Sequence, residues 1–311
     1  MNRICELLGI KYPCIQGGMA WISDGTLAAA AANAGIVGLV AAAAAPADIV
    51  RAEIRRTREL TEGVFGVNIM LMSPHSADIA QLVIDEGVQL VTTGAGSPSP
   101  YMAAWKEAGI KVLPVIASVA QAKKMERLGA DAVVAEGMEA GGHIGQTTTM
   151  ALVPQVSAAV SIPVLAAGGI ADGRGVAAAF MLGAEGVQIG TRFIATEECG
   201  AHESYKQALL DAKDSGTTIT GQISGSAAAR LIKNSFARSV IERERAGITP
   251  EELEHLLSGS LRRAAVDGDM KNGSVMAGQC AGMIGDIKPL AQVVEEIFSE
   301  ARDLISRGAE L

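Results

Sequence analysis

Aromatic side chains are scarce in this chain, with two Trp, three Tyr and five Phe in 311 residues. Basic charge is also in the minority: 26 Lys and Arg face 34 Asp and Glu, for a net charge of −8. That balance argues against nucleic acid as a partner. Only four cysteines occur, Cys5, Cys14, Cys199 and Cys280, and no two share metal-ligand or C-x-x-C spacing. Zinc-site and thioredoxin-like readings therefore have no support, and isolated thiols suit a reducing, cytoplasmic setting. The opening Met1-Asn2-Arg3-Ile4-Cys5-Glu6 shows no signal-peptide apolar stretch. One charge-free run, Leu27–Ala45, approaches the length of a membrane span, but eleven of its nineteen residues are Ala and Asn33, Gly35 and Gly38 interrupt it. It reads as a helix to about Asn33, a turn and a buried strand, so no membrane insertion is expected. What is abundant is glycine: 36 residues, about 12% where about 7% is usual. No strict glycine period accompanies the excess, and 49% apolar content excludes disorder.

Short apolar runs alternate with helical stretches eight times: Tyr12–Gln16, Ile36–Ala42, Phe65–Leu71, Leu90–Thr93, Lys111–Ile116, Ala132–Ala135, Pro163–Ala167 and Gly186–Ile189. Each run is apolar throughout, the pattern of strands buried on both faces of a parallel sheet. Gly129 and Gly183 mark helix C-termini. Eight such units in about 190 residues predict an α/β fold, a (β/α)8 TIM barrel; a doubly wound open sheet is the runner-up. From Glu197 to Asp269 the rhythm is lost and 21 of 73 residues are charged. This predicts a small, mainly helical subdomain inserted after strand eight. The expected organisation is a barrel over 1–196, the insertion over 197–270, and a C-terminal loop and closing helix over 271–311. Thr249-Pro250-Glu251-Glu252 opens a helix, with Thr249 as N-cap.

Barrel active sites form at the C-terminal strand ends. Here those ends read Gln16-Gly17-Gly18-Met19, Asn68, Thr93-Gly94-Ala95-Gly96, Glu136-Gly137, Ala167-Gly168-Gly169 and Gln188-Ile189-Gly190-Thr191. Glycine lets a flat or anionic ligand approach backbone N–H groups. Gly168-Gly169 and Gly190-Thr191 end strands seven and eight, where phosphate sites recur in such barrels, and Asp172 is placed to cap the next helix. Gly173-Arg174-Gly175-Val176-Ala177-Ala178 matches a dinucleotide fingerprint but sits in the seventh unit rather than the first. Of four histidines, His75, His202 and His255 suit solvated or structural roles. His143 stands in a glycine-rich loop, Glu136–Gly145, where packing does not explain an imidazole. It suits proton donation or carbonyl polarisation; a loop-capping role is the alternative. Glu136 and Glu139 make a metal site conceivable there, but no second His is near, and no metal is expected. Cys14 has no visible base partner for nucleophilic chemistry.

These segments, together with Gly66–Leu71, Thr92–Gly96 and Gly273–Gln279, closely resemble the flavin-dependent enoyl-acyl carrier protein reductases II, within the wider nitronate monooxygenase (2-nitropropane dioxygenase-like) superfamily. The Gly-Gly-His loop is common to the superfamily; Asn68-Ile69-Met70-Leu71 and Ser274–Gln279 look more like the reductase branch. The resemblance implies one bound FMN, NADH as reductant, and enoyl-acyl carrier protein or enoyl-CoA as substrate in fatty-acid elongation. It also implies a homodimer and, in some members, stimulation by a monovalent cation. By it, Gly168, Gly169, Gly190 and Thr191 hold the phosphate. Gly17, Gly18, Met19, Asn68 and Glu136 line the isoalloxazine and ribityl portions, and Met276 and Gln279 approach from the C-terminal loop. Thr93, Gly137, Gly142, Ala167 and Gln188 complete the cofactor set, and His143 is the catalytic residue. The rivals are a nitronate monooxygenase using the same FMN and His143 with oxygen as acceptor, and a flavin-free sugar-phosphate-binding barrel.

Overall fold

The computed structural model describes residues 2–308. Its strands are β1 (Cys14–Gln16), β2 (Gly38–Ala41), β3 (Phe65–Met70), β4 (Leu90–Gly94), β5 (Lys111–Ile116), β6 (Val133–Glu136), β7 (Gly142–His143), β8 (Val164–Ala167), β9 (Gly186–Ile189), β10 (Thr217–Thr220) and β11 (Ala229–Ile232). Eight of them run parallel in the order β1-β9-β8-β6-β5-β4-β3-β2, with helices between them. A single bridge, Ile15 to Val37, joins β1 to β2 and brings the sheet round into a barrel. The expected TIM barrel is thus the architecture observed.

The apolar runs become strands because both of their faces are covered. Inward-facing Ile15, Val37, Leu39, Leu90, Leu113, Val134 and Leu165 pack into one cluster. Ile4 and Leu8, from the helix Arg3–Leu8, join that cluster and fill the N-terminal end of the barrel. The middle of the barrel is therefore filled by side chains, and the cavity of about 520 Å³ lies above the C-terminal strand ends. The alanine run is a packing device: a Cβ on Gly38 would sit 1.9 Å from the Ala28 carbonyl oxygen, so helix Gly25–Asn33 lies directly on β2. No helix among the described residues is long and apolar enough to cross a membrane.

Residues 197–270 hold helices Glu203–Leu210, Ser235–Arg245, Pro250–Leu257 and Ser260–Ala265. Thr249 and Glu252 cap each other's backbone N–H groups at the third of these. They also hold β10 and β11, which the composition does not announce. These two strands pair antiparallel, and β11 pairs on its other edge with β7. The last helix, Leu290–Gly308, buries Val293, Val294, Ile297, Phe298 and Ala301, while Ile305 on the same stripe is exposed. Phe298 stacks on Tyr12 at 4.9 Å.

Candidate active site

A cavity of about 520 Å³ opens at the C-terminal ends of the barrel strands. His143, Gly17, Gly18, Met19, Asn68, Glu136, Gly142, Ala167, Gly168, Gly169, Gln188, Gly190, Thr191 and Met276 all line it. Three further candidates lie outside its lining. Thr93 is buried in β4 opposite Pro114. Gly137 lacks a side chain because a Cβ would fall 2.0 Å from the Thr149 hydroxyl. Gln279 is exposed, and its N–H donates to the Glu139 carbonyl at 2.9 Å.

One wall is mostly glycine backbone. Gly168 and Gly169 follow β8 with φ of +96° and +77°, a left-handed pair that only glycine adopts without strain. Beside them, the short helix Thr191–Ile194 starts immediately after Gly190. The Thr191 hydroxyl accepts the Gly278 N–H at 2.9 Å, which fixes it against the C-terminal loop. Asp172 caps helix Gly173–Met181 through the Gly175 N–H at 3.0 Å. In the Gly-x-Gly run of that helix, a Cβ on Gly173 would meet the Glu300 side chain at 2.5 Å. Its glycine thus admits the C-terminal helix and is not part of a nucleotide turn.

The floor is polar and short of partners. Glu136, Ala167 and Gln188 lie level across β6, β8 and β9, placing a carboxyl and an amide one strand either side of Ala167. Gln188 is buried and its Oε1 has no hydrogen-bond partner. Glu136 has no hydrogen-bond or ion-pair partner among the described residues, and desolvation raises its pKa to about 7. Asn68, on β3, donates from Nδ2 to the Thr92 hydroxyl at 2.8 Å. A Cβ on Gly18 would lie 2.3 Å from the Asn68 Cβ, so the first loop presses against this side chain. Glu139 turns away from Glu136 to accept the Thr149 N–H and hydroxyl, both at 2.9 Å.

His143 stands on β7 at the cavity wall. Its ring is open to the cavity, yet the protein around it desolvates it enough to hold its pKa below the ordinary 6.5. Among the described residues its imidazole has no hydrogen-bond partner, which leaves both nitrogens available to a ligand. The Cys14 thiol, in contrast, is fully buried and burial pushes its pKa up, which disqualifies it as a nucleophile.

Several lining residues escape sequence reasoning. Tyr205 is buried in helix Glu203–Leu210 and its hydroxyl donates to the Met276 carbonyl at 2.7 Å. Leu261 comes from helix Ser260–Ala265, and Gln121 from the helix after β5. Their helical spacing looks like ordinary packing. Another signal is invisible in the sequence: among the described residues, the three non-glycine residues with positive φ, Trp21 (64°), Ala43 (46°) and Ala95 (52°), all follow C-terminal strand ends. Strained backbone of this kind gathers at functional sites. Trp21 is 51% exposed, with the Arg262 guanidinium 5.8 Å from its ring centre.

The fold and the site define a (β/α)8 barrel with a glycine-lined cavity at the C-terminal ends of its strands. The chain belongs to the nitronate monooxygenase family, whose description matches residues 1–300. These are flavin-dependent oxidoreductases. Among solved structures, FabK of Thermotoga maritima is similar over 100% of this chain and 99% of its own, with 48% identity and a TM-score of 0.97. A probable nitronate monooxygenase of Staphylococcus aureus is 32% identical, covering 98% of each chain. An octahydro-indene-carboxyl-CoA dehydrogenase of Mycobacterium tuberculosis is also 32% identical, over 96% of this chain and 95% of its own.

Proposed function

We propose that this protein reduces the double bond of a trans-2-enoyl thioester, carried on acyl carrier protein or coenzyme A, with NADH as reductant and FMN as resident cofactor. The reaction closes a round of fatty-acid elongation. The residues present fit FMN. The cradle at Gly168, Gly169, Gly190 and Thr191 offers backbone N–H groups and a hydroxyl to a phosphate. The orphaned Gln188 Oε1 and the partnerless Glu136 suit the donors and acceptors on the edge of a flavin ring. Glycines 17 and 18 admit a flat face. Held by these residues, FMN would supply the hydride chemistry between NADH and the thioester Cβ.

The chain's own residues account for the rest. Burial keeps His143 neutral near neutrality. Its N–H polarises the thioester carbonyl as negative charge develops there, and Cα takes its proton from solvent. Met276 and Tyr205 line the same cavity, the Tyr205 hydroxyl fixing the Met276 backbone beside it.

The observation that carries this reading over a nitronate oxidation is the full-length likeness to FabK at 48% identity, against 32% for the nitronate and CoA-dehydrogenase relatives. The deciding experiment is anaerobic NADH oxidation by FMN-loaded protein, with and without a short enoyl thioester on each carrier. Thioester-dependent oxidation is expected. Oxygen consumption with alkyl nitronates and indifference to enoyl thioesters would establish the monooxygenase instead. Protein that takes up no FMN would leave only the sugar-phosphate reading.

A further inference from the structure

The loop that carries His143 does not hold itself in place. Its two paired residues, Gly142 and His143, lie opposite Arg230 and Ala229 of β11, and the Ile144 N–H donates to the Ala228 carbonyl at 3.0 Å. β11 is the central strand of a three-stranded sheet, with β10 on its other edge. Farther along, Leu231 bridges to Met276, and the Ile232 N–H donates to the Val275 carbonyl at 2.8 Å. One strand therefore supports two walls of the cavity, the His143 loop and the Met276 loop.

Arg230 sits at the junction. It is 4% exposed, yet no carboxylate lies within ion-pair distance of it among the described residues. Its Nε donates to the Met138 carbonyl at 3.1 Å, and its Nη1 to the Thr217 hydroxyl at 3.1 Å. A guanidinium costs a good deal to bury, and burial here lowers its pKa, with Glu139 opposing. What the buried fork achieves is a rigid link between the active-site loop and β10. The hairpin's other end is fixed independently. The buried Glu244 carboxylate accepts the N–H groups of Gly221, Ile223 and Ser224 at 3.0, 3.1 and 3.2 Å.

We propose that Arg230 is the positioning residue of the active-site loop, holding His143 in its reactive orientation by tying Met138 to the β10–β11 hairpin. The proposal rests on the proposed function only in giving His143 a part in the reaction. The charged groups on elements packed around His143 are Arg230 on β11, Glu136 at the end of β6 and Glu139 on its own loop. None contributes to its lowered pKa, which desolvation alone explains. Loosening the loop should therefore let water in and raise that pKa.

The test uses FMN-loaded protein and three variants, Arg230→Gln, Arg230→Lys and Thr217→Val. Amide hydrogen exchange over 138–145, the His143 imidazole pKa by NMR, and kcat and KM are measured on each. Arg230→Gln should speed loop exchange by about tenfold or more and raise the His143 pKa. It should lower kcat by about tenfold to a hundredfold, with KM for NADH changed by no more than about twofold. Arg230→Lys should recover part of each effect, because an ammonium reaches one acceptor at a time. If exchange and pKa move but kcat does not, the positioning stands and His143 loses its role in the reaction. If Arg230→Gln retains FMN and moves neither exchange nor pKa, the proposal is overturned. Should Arg230→Gln not fold, Thr217→Val decides: it removes one of the two contacts, and unchanged loop exchange in that variant also overturns the proposal.

Discussion

The Gln16 side chain completes the pairing that β1 and β2 leave unfinished: its Oε1 accepts the Leu39 N–H at 2.9 Å, beyond the single bridge at Ile15 and Val37. Its amide nitrogen donates to the Ser23 hydroxyl at 2.8 Å and to the Gly17 carbonyl. The Ser23 oxygen in turn accepts the Met19 N–H at 2.9 Å. One fully buried amide thus ties the barrel closure to the first cavity loop. Gln16→Leu leaves the Leu39 N–H unpaired in the barrel wall and should cost about 2–4 kcal/mol. Urea unfolding of the apoprotein measures that loss. A variant as stable as the parent would show that the closure does not need this side chain.

Gly18 faces Asn68 across the cavity mouth with no room for a methyl group. Gly18→Ala should push Asn68 away from the Thr92 hydroxyl and weaken FMN binding by about tenfold to a hundredfold, at a cost in fold stability of about 1–3 kcal/mol. Gly87→Ala is the control: its φ is positive (+59°), so alanine there carries a backbone cost, but nothing lies within 4 Å of the added atom. It should lose about 1–2 kcal/mol and bind FMN normally. Equal FMN affinity in both variants would remove the Gly18–Asn68 contact from the cofactor site.

The barrel is legible in the sequence because burial on both faces leaves an unbroken apolar signature, as in Val164–Ala167. The cavity is legible because glycines collect at the ends of those runs. Which strand-end residue faces the cavity is harder to read. Asn68 and Gln188 do, whereas Thr93 turns the other way, since a strand alternates faces at each residue. Gly137 reads as cavity lining, but its missing Cβ makes room for Thr149. The pairing of β7 with β11 joins residues 86 positions apart, Ala229 with His143, and no local pattern in a two-residue strand announces it. Tyr205 and Leu261 stay hidden because an apolar residue on a helix carries the same signal whether it faces a core or a cofactor.

The carboxyl of Glu136 links stability to pH. Its pKa is raised from 4.5 to about 7 by burial, so the folded apoprotein holds this proton more tightly than the unfolded chain does. Its contribution is therefore fully present below about pH 4.5 and is lost as the pH rises through 7. The effect amounts to at most about 1.4 kcal/mol for each tenfold gain in proton affinity. Glu136→Gln should remove that slope, so that the variant gains on the parent in thermal stability between pH 5 and about 7.5. Parallel melting curves for the two proteins across that range would mean that the carboxyl is hydrated and its proton ordinary.

His143 poses the opposite case, a base whose lowered pKa leaves it neutral at pH 7. A neutral imidazole can polarise a carbonyl through its N–H without changing its charge. If that is its part, kcat for enoyl thioester reduction should stay level from about pH 6.5 to about pH 8.5. His143→Gln, which keeps an N–H donor, should retain more activity than His143→Ala, which should lose about a hundredfold or more. The flavin absorbance of both variants checks that FMN remains bound. A rate that falls with rising pH across that window would identify the imidazolium as the source of the Cα proton, because only the protonated fraction would then turn over. Equal rates in His143→Ala and the parent would take the residue out of the reaction altogether, and the cavity's reactivity would have to rest on Tyr205 or Glu136 instead.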